Sequence, residues 1–282
     1  MTKNSPLIRP ADLIKLMQLG SVVLIDARTG TGALEKYNAE HLEGALFVDL
    51  ETELAQKSAD AANGGRHPLP AIENFTALVG RLGIQRSTHV VVYDDKAGAN
   101  AAARFWWLLK ATGHENIQVL DGGLKNTIEA GLPVTNVIPE ITPLPAYPAD
   151  NWILPTVDAD KVAKAVADPD YLVIDVRESY RYRGESEPID LIAGHIPGAV
   201  NIPYTGNLNA HGNFLSAEEL ADKYKDAIGD HDPKRVIVHC GSGVTACHTL
   251  LAMEEAGIET PNLYVGSWSE WSRNDRPVAV GE

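Results

Sequence analysis

The chain has 282 residues, with 38 acidic and 24 Lys/Arg side chains and a net charge of −14 at pH 7. That balance excludes the basic surface needed to hold nucleic acid or an anionic membrane, but not a small anionic substrate, because local main-chain dipoles govern the field inside a pocket. Two cysteines, Cys240 and Cys247, are too few for a disulfide framework and suit a reducing compartment, which points to the cytoplasm.

A hydrophobic content of 44% supports conventional cores, and the length suits two domains of ordinary size. No apolar run reaches the roughly 18 residues of a membrane span, and residues 1–15 lack the core of a signal peptide.

Read in order, the chain is one unit written twice. Val23-Leu24-Ile25-Asp26-Ala27-Arg28 returns as Leu172-Val173-Ile174-Asp175-Val176-Arg177. Ala39-Glu40-His41-Leu42-Glu43-Gly44-Ala45 returns as Ala193-Gly194-His195-Ile196-Pro197-Gly198-Ala199. Residues 70–82 predict a helix stopped by Gly83; its counterpart opens on the capping box Ser216-Ala217-Glu218-Glu219 and ends near Gly229. The strand His89-Val90-Val91-Val92-Tyr93 and the following Asp94 return as Val236-Ile237-Val238-His239 and Cys240. Residues 101–112 predict a helix whose Phe105, Trp106 and Trp107 read as core. Ile117-Gln118-Val119-Leu120-Asp121-Gly122-Gly123 returns as Asn262-Leu263-Tyr264-Val265-Gly266-Ser267.

Short apolar strands alternating with helices imply parallel sheets covered on both faces, so the fold class is α/β, twice. Residues 139–155 hold five prolines, which neither a helix nor a central strand tolerates. The expected division is therefore a domain at 1–138, an extended Pro-rich linker at 139–156 and a second domain at 157–282. Each copy closes its own core, which makes a monomer the default.

The chemistry concentrates at Cys240-Gly241-Ser242-Gly243-Val244-Thr245. Here a cysteine stands at the carboxyl end of a buried strand, on a turn with two glycines, before a helix start. Ligands bind at that place in open α/β sheets, and glycines there let successive N–H groups converge on an anion. A thiol in such a cradle ionises readily, which makes Cys240 the candidate nucleophile. Asp94 occupies the same place in the first copy, so that copy is expected to be catalytically silent. Cys247 is read as a helix core position. Phosphoester hydrolysis is disfavoured because Ala246 stands where an arginine would hold the phosphate. Sulfur transfer through a persulfide needs only the main-chain donors.

With these motifs, and with Gly266-Ser267-Trp268-Ser269-Glu270-Trp271, the chain resembles the tandem-domain rhodanese sulfurtransferase family, two rhodanese-like domains each with a parallel sheet flanked by helices. The Cys240 loop looks like the branch that uses 3-mercaptopyruvate. The resemblance implies Cys240 and Ser242 as catalytic residues, with Arg181, Gly241, Gly243, Val244, Thr245 and the first-domain His41 lining the donor site. It also implies a second clamp arginine after Glu187-Pro188, where this chain has Ile189; Arg183 is the nearby cation, expected at the solvated surface. A Ser-His-acid relay through Ser242 and His41 would find its acid at Glu35 or Glu40. His195 and the pairs Asp26/Arg28 and Asp175/Arg177 read as scaffold.

The implied partners are a small sulfur donor, 3-mercaptopyruvate or thiosulfate, and a thiol, thioredoxin-like or cyanide acceptor. A non-catalytic sulfur carrier or redox sensor using both cysteines is the reading from another class. No metal or other cofactor is implied, since neither metal-spaced Cys/His clusters nor a dinucleotide glycine pattern occurs.

Overall fold

The computed structural model describes residues 5–20, 22–259 and 261–282; residues 1–4, part of the stretch read above for a signal peptide, lie outside them. The chain divides into two compact units. The first contains β1 (Leu7–Ile8), β2 (Val22–Asp26), β3 (His41–Leu42), β4 (Ala45–Phe47), β5 (His89–Tyr93), β6 (Ile117–Leu120) and β7 (Val134–Thr135). Its five-stranded sheet runs β1-β6-β5-β2-β4, parallel throughout, while β3 and β7 form a small antiparallel pair. The second contains β8 (Thr156–Val157), β9 (Leu172–Asp175), β10 (Val200–Asn201), β11 (Val236–His239) and β12 (Asn262–Tyr264), ordered β10-β9-β11-β12-β8 and again parallel. Read from its other edge, this order is that of the first sheet, so the repeat in sequence is a repeat in topology. Helices flank both sheets, and the central strands are sealed on both faces: Val90, Val91 and Val92 in one, Val236, Ile237 and Val238 in the other.

The helices follow their local signals. Ser216 and Glu219 form the capping box of Ala217–Ile228, whose Leu220, Tyr224 and Ile228 make a buried stripe at helical spacing. Ala102–Ala111 buries Phe105, Trp106 and Trp107. Residues 139–153 form neither helix nor strand, but they pack as part of the first unit: Leu144 N–H donates to Gly80 O at 2.8 Å, Tyr147 N–H to Thr76 O at 2.9 Å and Ile153 N–H to Ala111 O at 2.8 Å.

The units are not the contiguous blocks that a single linker at 139–156 implies. Gln56–Leu69 belongs to the second unit, and Ala210–Phe214 belongs to the first. Main-chain complementarity holds each piece. A Cβ on Gly65 would sit 2.4 Å from Gly266 O, an approach that only glycine permits, and Gly64 N–H donates to Glu270 Oε1 at 3.0 Å. In the first unit, Phe214 N–H donates to Asp121 Oδ1 at 2.8 Å and Asn126 Nδ2 to His211 O at 3.0 Å.

The repeated polar motifs share one architecture. Arg28 bonds Asp26 and reaches Glu40 O at 3.0 Å; Arg177 bonds Asp175 and reaches Gly194 O at 2.7 Å. Each arginine thereby ties a strand end to the turn before the repeated histidine. His41 stacks on Tyr37 with ring centroids 4.1 Å apart and has Nδ1 2.7 Å from Tyr37 O; His195 does the same with Tyr182, at 3.7 and 2.8 Å.

At the end of β5 the carboxylate of Asp94 accepts four main-chain N–H bonds, from Lys96 (2.8 Å), Gly98 (2.8 Å), Asn100 (3.0 Å) and Ala102 (3.2 Å), at the start of Ala102–Ala111. Burial pushes this carboxyl up to about 6 from 3.8, against the pull of the amides. Between those values the folded chain binds more protons than the unfolded one. The stabilisation present below the unfolded value is therefore lost as pH rises through about 6. Urea unfolding from pH 4 to 7 should show wild type losing up to roughly 3 kcal/mol relative to Asp94→Asn as pH rises; a flat difference would show that Asp94 keeps its unfolded proton affinity.

Candidate active site

β11 delivers Cys240 to the carboxyl edge of the second sheet. The motif after β12 grips its main chain: Cys240 N–H donates to Ser267 Oγ (3.2 Å), Cys240 O accepts from Trp268 N–H (3.0 Å) and Gly241 O accepts from Ser269 N–H (2.8 Å). Gly243 then turns the chain at φ +74°, where an added Cβ would lie 2.5 Å from Val265 O. No residue with a side chain fits there. The turn leads through Val244 into the helix Thr245–Glu255, whose first-turn N–H groups find no acceptor within the helix and whose dipole favours an anion. Cys240 is 3% exposed and Ser242 6%. Cys247 is buried one helical turn on, with its Sγ 3.3 Å from Gly243 O, a packing position as expected.

The inserted segment 56–69 supplies the other wall. His67 Nδ1 lies 2.7 Å from Ser242 Oγ. Arg66 N–H donates to Ser269 Oγ at 3.0 Å, and its guanidinium lies against Gly241, with Nη2 3.1 Å from where a Cβ would stand. Consecutive residues of the insertion thus meet consecutive residues of the cysteine loop. Arg181 Nη2 approaches the same point of Gly241 at 3.5 Å.

Carboxylates hold these arginines. Arg181 forks onto Glu187 with Nε at 3.1 Å and Nη2 at 2.7 Å, and lies 3.5 Å from Asp190 and 3.6 Å from Glu178. Burial works against its charge, but these carboxylates more than offset it and hold its pKa above the ordinary value. Asp190 takes Arg66 Nε at 3.1 Å and Arg273 Nη1 at 3.1 Å, and Glu187 also takes Arg177 Nη1 at 3.2 Å. Arg183 pairs with exposed Glu185 at the surface, as expected.

The structure brings together Cys240, Gly241, Ser242, Gly243, Val244, Thr245 and Arg181 within one unit. His41 belongs to the first unit, where its second ring nitrogen lies 3.2 Å from Val137 O and the first is held by Tyr37 O. The His41 ring is fully buried, stacked on tyrosine and faced by carbonyls at both nitrogens, and its repeat mate His195 stacks in the same way on Tyr182. Glu35 and Glu40 belong to that unit as well.

The histidine at Ser242 is His67, which the sequence reading missed along with Arg66, Glu187 and Asp190. The available signal was Gly64-Gly65-Arg66-His67-Pro68, a basic pair between turn-formers. Its destination could not be read, because the contact spans 175 positions. Among the described residues no three His, Cys, Asp or Glu side chains are arranged to hold a metal, and no helix is long and apolar enough to cross a membrane.

The family model of the rhodanese-like domain matches the chain twice, over residues 9–130 and 158–274. A Pseudomonas aeruginosa protein named as a probable 3-mercaptopyruvate sulfurtransferase is 40% identical over 252 residues, covering 87% of this chain and 86% of that one. The thiosulfate sulfurtransferase of Gallus gallus is 34% identical, covering 87% and 83%. The structure of 3-mercaptopyruvate sulfurtransferase from Leishmania major superposes with a TM-score of 0.83 at 28% identity, covering 98% of this chain and 77% of that one. Both halves match a single domain family and the relatives align along most of its length, so the chain belongs to the rhodanese-like family, as a tandem-domain sulfurtransferase.

Proposed function

We propose that the protein moves sulfane sulfur from 3-mercaptopyruvate to a thiol or cyanide acceptor through a persulfide on Cys240. The observation that carries this is the 2.7 Å hydrogen bond between His67 and Ser242, two positions beyond the nucleophile. It supports a proton carrier in the same loop as the proposed nucleophile. In the first step Cys240 Sγ attacks the donor sulfur and the donor C–S bond breaks. The electron pair of that bond passes to the donor carbon, forming the enolate of pyruvate. The proton given up by Cys240 returns to that carbon by way of Ser242 and His67, leaving pyruvate and the Cys240 persulfide. In the second step a thiolate or cyanide attacks the outer sulfur, the S–S bond breaks and the Cys240 thiolate is restored. The loop amides and the helix N-terminus stabilise the anion at both stages. The four amides gathered by Asp94 at the equivalent place in the first copy support that reading of the loop.

Thiosulfate, a dianion, needs uncommitted cations. Each arginine near Gly241 already faces a carboxylate, which favours the singly charged 2-oxo acid. Comparing kcat/KM for the two donors decides between them. Small thiols, thioredoxin-like dithiols and cyanide are the acceptors we propose. Two buried cysteines that form no disulfide, and a separate core in each unit, suit a monomer working in the cytoplasm.

Intact-mass measurement after exposure to 3-mercaptopyruvate should show one added sulfur on wild type and on Cys247→Ser, and none on Cys240→Ser; an unmodified wild type overturns the mechanism. His67→Ala should lower kcat by about 10²-fold or more. His41→Ala should instead lose about 1–3 kcal/mol of stability from its buried hydrogen bonds while kcat/KM stays near wild type. The reverse pattern in steady-state kinetics and denaturation would return the catalytic role to His41.

A further inference from the structure

We infer that Lys223 is a site of acyl modification, an amine that takes a small acyl group from an activated carboxyl donor, an acyl phosphate or a thioester. The inference is independent of the sulfur chemistry above. Lys223 lies on the helix Ala217–Ile228 and is half-buried against the turn Tyr204–Asn207. Its Nζ donates to Asn207 Oδ1 at 2.6 Å. Tyr224 OH donates to the same oxygen at 2.6 Å, and Asn207 is fully buried. The other end of that amide, Nδ2, lies 3.4 Å from His248 Nδ1 and 3.4 Å from Thr249 Oγ1, on the helix that follows the cysteine loop.

The direct partners of the amine are neutral. Lys15 pairs with Asp12 and Lys234 with Glu259, but among the described residues no carboxylate pairs with Lys223. Glu219, one turn back on the same helix, is held by Ser216. Only the ring of Tyr224, its centre 5.2 Å from Nζ, favours the ammonium. Burial without a counter-ion pulls Lys223 down to about 8 from 10.5. Near neutral pH a substantial share is therefore free amine, which holds the lone pair that acylation needs. Gly206 gives access. It is exposed, and a β-carbon there would stand 3.1 Å from Nζ and 3.8 Å from Cε, with nothing else but its chain neighbours within 4 Å. In the step, Nζ attacks the acyl carbon and a C–N bond forms. The C–O bond to phosphate or the C–S bond of the thioester breaks, the leaving group takes the electron pair, and the proton of the amine passes to water. The product suits the site better than the ammonium does. Its amide keeps an N–H for Asn207 Oδ1 and no longer carries the charge that burial opposes.

The test treats the intact protein at pH 7.5 with acetyl phosphate and, separately, with acetyl-coenzyme A, and follows the rate at each lysine by peptide mass spectrometry. Lys223 should be acetylated roughly tenfold faster than Lys225, exposed on the same helix, at a rate that levels off above about pH 8. In concentrated urea that advantage should vanish. Selective reaction with one donor or with both supports the assignment and names the source. Equal rates at the two lysines with both donors, or an advantage that survives in urea, overturns it, as does a Lys223 rate still climbing at about pH 10.

Discussion

Ser269 is the joint on which the site depends. Its amide donates to Gly241 O at 2.8 Å, its hydroxyl accepts Arg66 N–H and donates to Gly266 O, each at 3.0 Å, and its carbonyl accepts Arg273 at 2.9 Å. One buried residue thus ties the cysteine loop to the segment carrying Arg66 and His67. Polar groups there lie away from water, where an unmade hydrogen bond costs about 1–3 kcal/mol, so the arrangement is specified rather than merely permitted. Ser267 makes the companion contact. It is held at φ +53°, a strained value for a residue with a side chain, with its hydroxyl bonded to Tyr264 O and receiving Cys240 N–H.

The two copies solve one electrostatic problem differently. A strand ending at a helix N-terminus gathers main-chain N–H groups, and those groups need an anion. The first copy supplies it internally through Asp94, which closes the loop on itself. The second copy puts Cys240, Gly241, Ser242 and Gly243 there instead, with no carboxylate in the loop.

Charge around the second loop is balanced in place. Arg66, Arg177, Arg181 and Arg273 are set against Asp175, Glu178, Glu187 and Asp190. Buried arginines without such partners would cost several kcal/mol each. Fully paired, they serve as rigid donors whose direction is set by the carboxylates behind them. The charge of these arginines is thus met locally rather than spread as a net positive field, in keeping with a chain of charge −14.

Much of this was legible in the residues. Strand runs such as Val90-Val91-Val92, the Ser216–Glu219 capping box and the glycine turn at Gly243 act over a few positions, so the repeat, the α/β class and the nucleophile could be read locally. The same local logic could not show that His41 stacks on Tyr37, because a histidine before a glycine turn looks alike whether it lines a site or packs on a ring. It also failed for Arg66 and His67, and for the boundaries, because Gln56–Leu69 packs in the unit that follows rather than the one its neighbours build. Sequence alone determined which chemistry the chain carries, since that lies in residue types and spacing along one loop. Only tertiary structure decided which histidine and which arginine meet the cysteine loop, because their contacts cross more than a hundred positions and depend on main-chain fit to Gly266 and Ser269.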